Sequence, residues 1–256
     1  MPAVPANPPP PRRDWALFLD IDGTLLDIAP RPDAVIVPAP LRDSLGALSR
    51  SLGAVALLSG RPLSGIDALF APLVLPAAGQ HGAEVRNGAE RLTSAPLPSL
   101  RALVPPFRQF ADANPGIVVE DKGNSIAVHF RQAPGLADAV RALADRLAGS
   151  VTDLEVMPAK MAVDIKPRGT TKSDAIAWFM ARTPFAGRVP VFLGDDRTDE
   201  SGFAAVNDRN GVSVKVGGRS GTAARFFIES PVAVREWIAG LARYYREAER
   251  PERANS

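Results

Sequence analysis

The sequence predicts an α/β fold: a Rossmann-like parallel-sheet core with an inserted α+β cap domain. Three observations predict it. Strand and helix signals alternate over residues 14–97 and again over 168–245, the pattern of parallel strands joined by crossover helices. Residues 98–167 between them break the pattern, with two hairpin signals and two amphipathic helices. The first apolar run, Trp15-Ala16-Leu17-Phe18-Leu19, leads straight into Asp20-Ile21-Asp22-Gly23-Thr24. Open α/β sheets bind ligands just past the carboxyl ends of their strands, so these acids stand where chemistry is done.

The elements follow in order. Residues 1–13 carry six prolines and few large apolar groups, and read as a disordered tail of polyproline character. Ala16 to Asp20 is a strand. Leu41, Leu45, Leu48 and Leu52 have helical spacing. Ala54 to Leu58 is the second strand, Ser64 to Phe70 a short helix, and Leu73 to Ala77 the third strand. Glu84-Val85-Arg86-Asn87-Gly88 reads as a hairpin turning at Asn-Gly. In the inserted block, Leu100 to Ala113 reads as a helix, and Gly116 to Glu120 and Ser125 to Phe130 as strands around Asp121-Lys122-Gly123-Asn124. Leu136 to Leu147 is a second helix, followed by strands at Leu154 to Met157 and Met161 to Ile165. The α/β pattern resumes with a helix opening at Lys172, strands at Pro190 to Leu193 and Val212 to Val216, and a closing helix from Ala233 to Tyr245. Residues 246–256 read as a flexible tail. The chain passes between the two units near 97 and 168, so a hinge is expected there.

Composition narrows the function. The chain has 256 residues, 46% of them hydrophobic, enough for a sizeable core. A formal net charge of +2, with scattered basic residues, argues against nucleic acid as the partner. No apolar stretch approaches the roughly 20 residues of a membrane span, and the N-terminus lacks a signal-peptide pattern. A cytoplasmic location is therefore expected. Zero cysteines remove thiol nucleophiles and Cys-based zinc sites, and two histidines leave little for a His-rich one.

The chemistry-bearing residues lie at strand ends. Two acids two residues apart, Asp20 and Asp22, can divide nucleophilic attack and proton transfer, and together attract a hard cation. Ser59 ends its strand with a hydroxyl and a glycine behind it, able to hold phosphate oxygens or simply to make a turn. Arg61 fits either a bidentate phosphate contact or a surface salt bridge. Asp195, Asp196, Asp199 and Glu200 form an acidic cluster after Val191-Phe192-Leu193-Gly194, suited to Mg²⁺ with its preference for hard oxygen ligands. His129 alternates inside an apolar strand, as either a core histidine or a ligand. Gly217-Gly218-Arg219-Ser220-Gly221 lacks the Walker lysine pattern and reads as a plain loop.

Taken together, these motifs resemble the haloacid dehalogenase-like phosphatases. Asp20 to Thr24 resembles the family's first motif, Leu57-Leu58-Ser59-Gly60-Arg61 the second, Lys172 the third, and Val191 to Glu200 the fourth. Gly79-Gln80-His81-Gly82-Ala83-Glu84 and Val119-Glu120-Asp121-Lys122-Gly123 are similar to trehalose-6-phosphate phosphatases in particular. The resemblance implies Asp20 as nucleophile and Asp22 as acid, then base. Asp22 also points to phosphate esters, because relatives that cleave carbon–halogen bonds lack it. It implies Mg²⁺ bound by Asp20, Asp195 and the main-chain carbonyl of Asp22, with Asp196 and Asp199 holding a metal-bound water or the lysine. Lys172 would neutralise the phosphate and Asp20. His81, Glu120, Lys122, Arg131, Lys160 and Asp164 would hold the sugar or its phosphate. The family pattern has Glu where this chain has Asp164. A small phosphosugar substrate is implied, trehalose 6-phosphate first, and with it a functional link to a trehalose-6-phosphate synthase.

Other readings stay open on the sequence. Another sugar phosphate, such as sucrose 6-phosphate or a glucosylglycerate phosphate, would use the same core. A non-catalytic phosphosugar-binding regulator would be expected to lack Asp20, Asp22, Lys172 or Asp195, and all four are present. A protein-docking role would rest on the short Pro-rich tail alone.

Overall fold

In the computed structural model, two separate sheets divide the chain; the described residues are 7–29, 34–95, 97–159, 161–218 and 221–248. The N-terminal run supplies β1 (Trp15–Asp20), α1 (Ala39–Ser51), β2 (Val55–Leu58), α2 (Leu63–Phe70), β3 (Ala77–Gly79) and the hairpin β4 (Glu84–Asn87) and β5 (Glu90–Thr93). The middle run supplies α3 (Pro98–Arg101), α4 (Val104–Ala113), β6 (Val118–Asp121), β7 (Ile126–His129), α5 (Ala137–Ala148), β8 (Leu154–Ala159) and β9 (Ala162–Pro167). The last run supplies α6 (Lys172–Met180), β10 (Val189–Gly194), α7 (Glu200–Asn207), β11 (Val212–Val216), β12 (Phe226–Ile228) and α8 (Pro231–Ala248).

The larger sheet runs β12-β11-β10-β1-β2-β3-β4-β5. Its pairings are parallel from β12 to β3, and the hairpin β4–β5 adds an antiparallel edge. β1 lies near the centre, and all its residues are buried. Its pleat sends Leu17 and Leu19 into a core shared with α1, α2 and α8. Ala16 and Phe18 go to the other face, where Phe18 meets Phe179 of α6 and Phe185. A strand covered on both faces needs a continuous apolar run, as its sequence supplies.

The smaller sheet is antiparallel, in the order β6-β7-β9-β8. Leu100, Phe107, Ile126, Val128, Val140 and Ile165 form a core of its own between that sheet and α3–α5. A block with a private core, joined to the larger sheet at both ends, is a cap-like unit on a Rossmann-like core.

Several boundaries differ from expectation for local reasons. The third strand forms at Ala77–Gly79, after the expected Leu73–Ala77. Pro72 precedes that stretch and Pro76 lies within it, neither able to donate to a ladder, and Val74 is exposed. The expected helix from Leu100 is two pieces. Pro105 and Pro106 are accepted only in a first turn, so the helix restarts at Val104. α7 and β12 carried no sequence signal of their own: α7 is short, and β12 is a three-residue edge.

Of the Pro-rich segment, residues 1–6 lie outside the described residues. Within it, the Arg12 carbonyl accepts from Tyr245 Oη at 2.6 Å and Arg13 donates to the Ala248 carbonyl at 2.8 Å, both on α8. Residues 249–256 also lie outside the described residues.

Candidate active site

β1 delivers Asp20 to the carboxyl edge of the sheet, 5% exposed. The next residues turn tightly: the amides of Leu25 and Leu26 donate to the Ile21 carbonyl at 3.0 and 2.9 Å, and Gly23 N donates to Leu26 O at 2.7 Å. Gly23 has φ +91°, and a Cβ there would lie 2.1 Å from Asp195 Oδ2. Only glycine lets this turn pass against the acidic loop that follows β10. Thr24, fully buried, donates to Asp195 Oδ1 at 3.5 Å.

Lys172 opens α6 behind a capping box of Thr171 and Asp174. Its Nζ donates to Asp20 Oδ1 at 2.6 Å and to Asp199. Burial alone would push this ammonium down; the carboxylates of Asp199 and Asp20 outweigh it and hold it above its ordinary value. Asp199 also accepts the amides of Asp195 and Asp196, both at 2.9 Å, so it ties the acidic loop to the lysine. Lys215 of β11 reaches the Asp195 carbonyl.

Asp20, Asp195 and Asp199 each offer a carboxylate oxygen, all within 4.8 Å of one another. Burial, opposed by Lys172 and aided by Asp199 and Asp195, holds the Asp20 carboxyl well above the usual range. Three crowded carboxylates could hold a divalent cation, and their all-oxygen donor set suits a hard one. The Asp22 carboxylate stands apart from this group. Arg61 grips it through two bonds of 2.7 Å, from Nε and Nη2.

Ser59 follows β2, and its Oγ accepts the Arg61 amide at 3.1 Å. Beside it, a Cβ on Gly60 would lie 2.9 Å from the His81 ring, so the bare backbone lets the imidazole stack against this loop. His81 stands in the 3-10 turn Gln80–Gly82, where Gln80 and His81 have φ +48° and +59°.

The inserted unit closes the cleft from the opposite side. Asp164 of β9 lies 3.3 Å from His81 Nε2 and 4.0 Å from Lys122 Nζ. Burial would raise its carboxyl, but Lys122 and His81 together hold it below the usual range. His129 Nε2 pairs with Glu120 Oε2 at 3.0 Å, and Lys122 lies 3.8 Å from the same oxygen. Arg131 donates to the Ala29 carbonyl, joining the inserted unit to the loop after β1.

One cleft gathers nearly all the residues singled out in the sequence. Asp20, Asp22, Ser59, Arg61, Lys172, Asp195, Asp196 and Asp199 line its core side. Glu120, Lys122, Arg131 and Asp164 line the other side, with His81 between them. Lys160 lies outside the described residues. Glu200 is not among the lining residues; it accepts the Ala223 amide at 2.8 Å. Thr24 and Gln80 stand inside motifs singled out in the sequence but were given no role there, and Lys215 escaped the sequence reading because a lone Lys has no pattern to betray its partner. His129, left open on the sequence, lines the cleft.

The trehalose-phosphatase family profile matches residues 18–231. The chain belongs to the trehalose-phosphatase family. This family member is 46% identical to the trehalose-6-phosphate phosphatase of Escherichia coli K12 over 206 residues, 79% of this chain and 77% of that protein. It is 43% identical to a probable trehalose-phosphate phosphatase of Sinorhizobium fredii over 237 residues, 90% of this chain and 88% of that protein. The solved C-terminal domain of Candida albicans trehalose-6-phosphate phosphatase shares 23% identity with a TM-score of 0.80, covering 90% of this chain and 92% of that one. That likeness shows the fold, a haloacid dehalogenase-like core carrying a cap. The chain is thus a phosphatase, a hydrolase, on a haloacid dehalogenase-like fold. Among its described residues, no helix is long and apolar enough to cross a membrane.

Proposed function

We propose that this phosphatase hydrolyses trehalose 6-phosphate to trehalose and inorganic phosphate, with Mg²⁺, through an aspartyl phosphate on Asp20. The observation that carries the reading is the single cleft in which the buried Asp20–Lys172 pair faces Glu120, Lys122 and Asp164. Residues 14–97 and 168–245 then form the catalytic core and 98–167 the cap. The strong relatives named above act on the same substrate class by name.

The residues divide the work as follows. The phosphate lies over Ser59 and Lys172, with Arg61 beside it. An Asp20 oxygen attacks phosphorus while the bond to the sugar oxygen breaks. Asp22 gives that oxygen its proton. Asp22 then takes a proton from water, the water oxygen attacks phosphorus, and the Asp20–phosphorus bond breaks to free phosphate. Asp20, Asp195 and the Asp22 carbonyl would hold Mg²⁺, which supplies charge neutralisation for the phosphoryl oxygens. Asp199 accepts from Lys172 and two amides, which supports a role in shaping the loop. Asp196 would hold a water beside the metal. His81, Glu120, Lys122, Arg131, Lys160 and Asp164 would bind sugar hydroxyls or the phosphate edge. Asp164 is one methylene shorter than the Glu of the family pattern, and its carboxylate lies 3.3 Å from His81 Nε2. A substrate of this kind must be supplied by a glycosyl-transferring synthase, the functional link expected from the sequence.

Phosphate release from trehalose 6-phosphate should require Mg²⁺ and stop on chelation, and acid quenching should trap phosphate on Asp20. Full turnover after exhaustive chelation, or label trapped on another residue, would overturn the reading.

A further inference from the structure

Gln80 is 1% exposed, lies outside the proposed chemistry, and holds a left-handed backbone that glycine would adopt more easily. Its backbone amide donates to Arg61 O at 2.9 Å, and the next amide, of His81, donates to Ser59 O at 3.0 Å. The turn is thus laced to the loop proposed to hold phosphate. Its side chain reaches the other way. Gln80 Oε1 accepts the Asn124 amide at 2.9 Å and Ser125 Oγ at 3.4 Å, both buried residues of the β6–β7 turn. Lys122 belongs to the same turn, closed by Lys122 N donating to Ser125 O at 2.9 Å.

The orientation of this amide is dictated. Gln80 Nε2 donates to Glu84 Oε1 at 2.7 Å, and Glu84 Oε2 accepts the Leu63 amide at 2.8 Å. A carboxylate can only accept, so Glu84 forces the Gln80 nitrogen toward itself and the oxygen toward the cap turn. A continuous polar chain therefore runs from Leu63, two residues past Arg61, through Glu84 and Gln80 to the turn that carries Lys122.

We propose that Gln80, oriented by Glu84, is the positioning residue that registers the Lys122 turn of the cap against the phosphate loop. It sets the spacing between the phosphate end and the sugar end of the cleft, and so sharpens selection for a sugar phosphate that spans both. The inference rests on the reading that the cap binds sugar and the core binds phosphate.

A polarity swap tests it. Gln80→Glu places two carboxylates face to face. Glu84→Gln lets the Gln80 amide flip and present a donor to the Asn124 amide. The double variant Q80E/E84Q restores every bond, exchanging donor and acceptor only between positions 80 and 84: the carboxylate introduced by Q80E still accepts from Asn124 and Ser125, and the amide introduced by E84Q still accepts from Leu63 through its oxygen. Each single variant should lose about tenfold in kcat/KM for trehalose 6-phosphate and less than about twofold for a small aryl phosphate, the scale of one hydrogen bond. Amide hydrogen exchange in the 121–125 segment should quicken in each single variant. The double variant should recover both. Unchanged selectivity and exchange in the singles would overturn the proposal, as would a double variant that recovers neither. If a single variant does not fold, the double alone decides. If the unmodified protein does not favour trehalose 6-phosphate, the substrate reading fails, and the exchange measurement still decides the role of Gln80.

Discussion

Asp20 and Asp22 are two residues apart and are treated differently by the fold. Asp20 is buried against Lys172, and Asp22 sits in the turn, held by Arg61. Asp20→Asn should abolish turnover with the fold intact, because an amide is a poor nucleophile; single-turnover phosphate release checks it. Asp22→Asn should still bind substrate but lose at least about 100-fold in kcat, the scale of general acid–base catalysis. Gly23→Ala brings the close approach to Asp195 under test. The new Cβ must displace the Asp195 carboxylate and strain a left-handed backbone. Its expected result is a weakened apparent affinity for Mg²⁺, read from activity against Mg²⁺ concentration, with secondary structure unchanged. These acids were legible in the sequence because they stand in a fixed string after an apolar strand. Thr24 closes the same string, though its contact with Asp195 was not legible, and Lys215, which also touches Asp195, carries no spacing that announces its partner.

Among the elements, the β6–β7 hairpin bears the cleft-lining charges proposed to face the sugar. Glu120→Ala and Lys122→Ala should each lower kcat/KM for trehalose 6-phosphate by about 10- to 150-fold, the scale of one charged hydrogen bond, and much more than for a small aryl phosphate. Equal losses on both substrates would assign these residues to the phosphate end. The hairpin was readable from its turn residues, and α1 and α5 from their apolar spacing. Where proline overrides periodicity, in the split of α3 from α4 and the late start of β3, the pattern alone misled. α8 makes a separate prediction. Burial pushes the Tyr245 phenol up to about 12 while it donates to the Arg12 carbonyl. The folded chain thus keeps this proton at a pH where the unfolded chain, titrating near its ordinary ~10, has lost it. The contribution to stability is full below about pH 10 and is lost as pH rises toward 12. The melting temperature should therefore fall more steeply over that window than in Tyr245→Phe; parallel curves would count against it.

Over the whole molecule, the cleft between the two sheet-bearing units explains why distant sequence positions act together: Lys172 meets Asp20 across 152 positions of chain. The fold class was visible in the alternation of elements and its interruption. The links across the cleft, such as Gln80 to Asn124, were invisible because they join units that share no pattern. The crowding of Asp20, Asp195 and Asp199 predicts that a cation stabilises the folded state. Mg²⁺ at about 100 times its Kd should add about 2.7 kcal/mol, and the melting temperature should rise accordingly. Asp195→Ala should abolish that rise; a melting curve indifferent to Mg²⁺ in the unmodified protein would contradict it. The most direct test of the central claim is phosphate release across a panel of sugar phosphates with Mg²⁺. Trehalose 6-phosphate should show the highest kcat/KM, and a higher value for sucrose 6-phosphate or glucose 6-phosphate would contradict it.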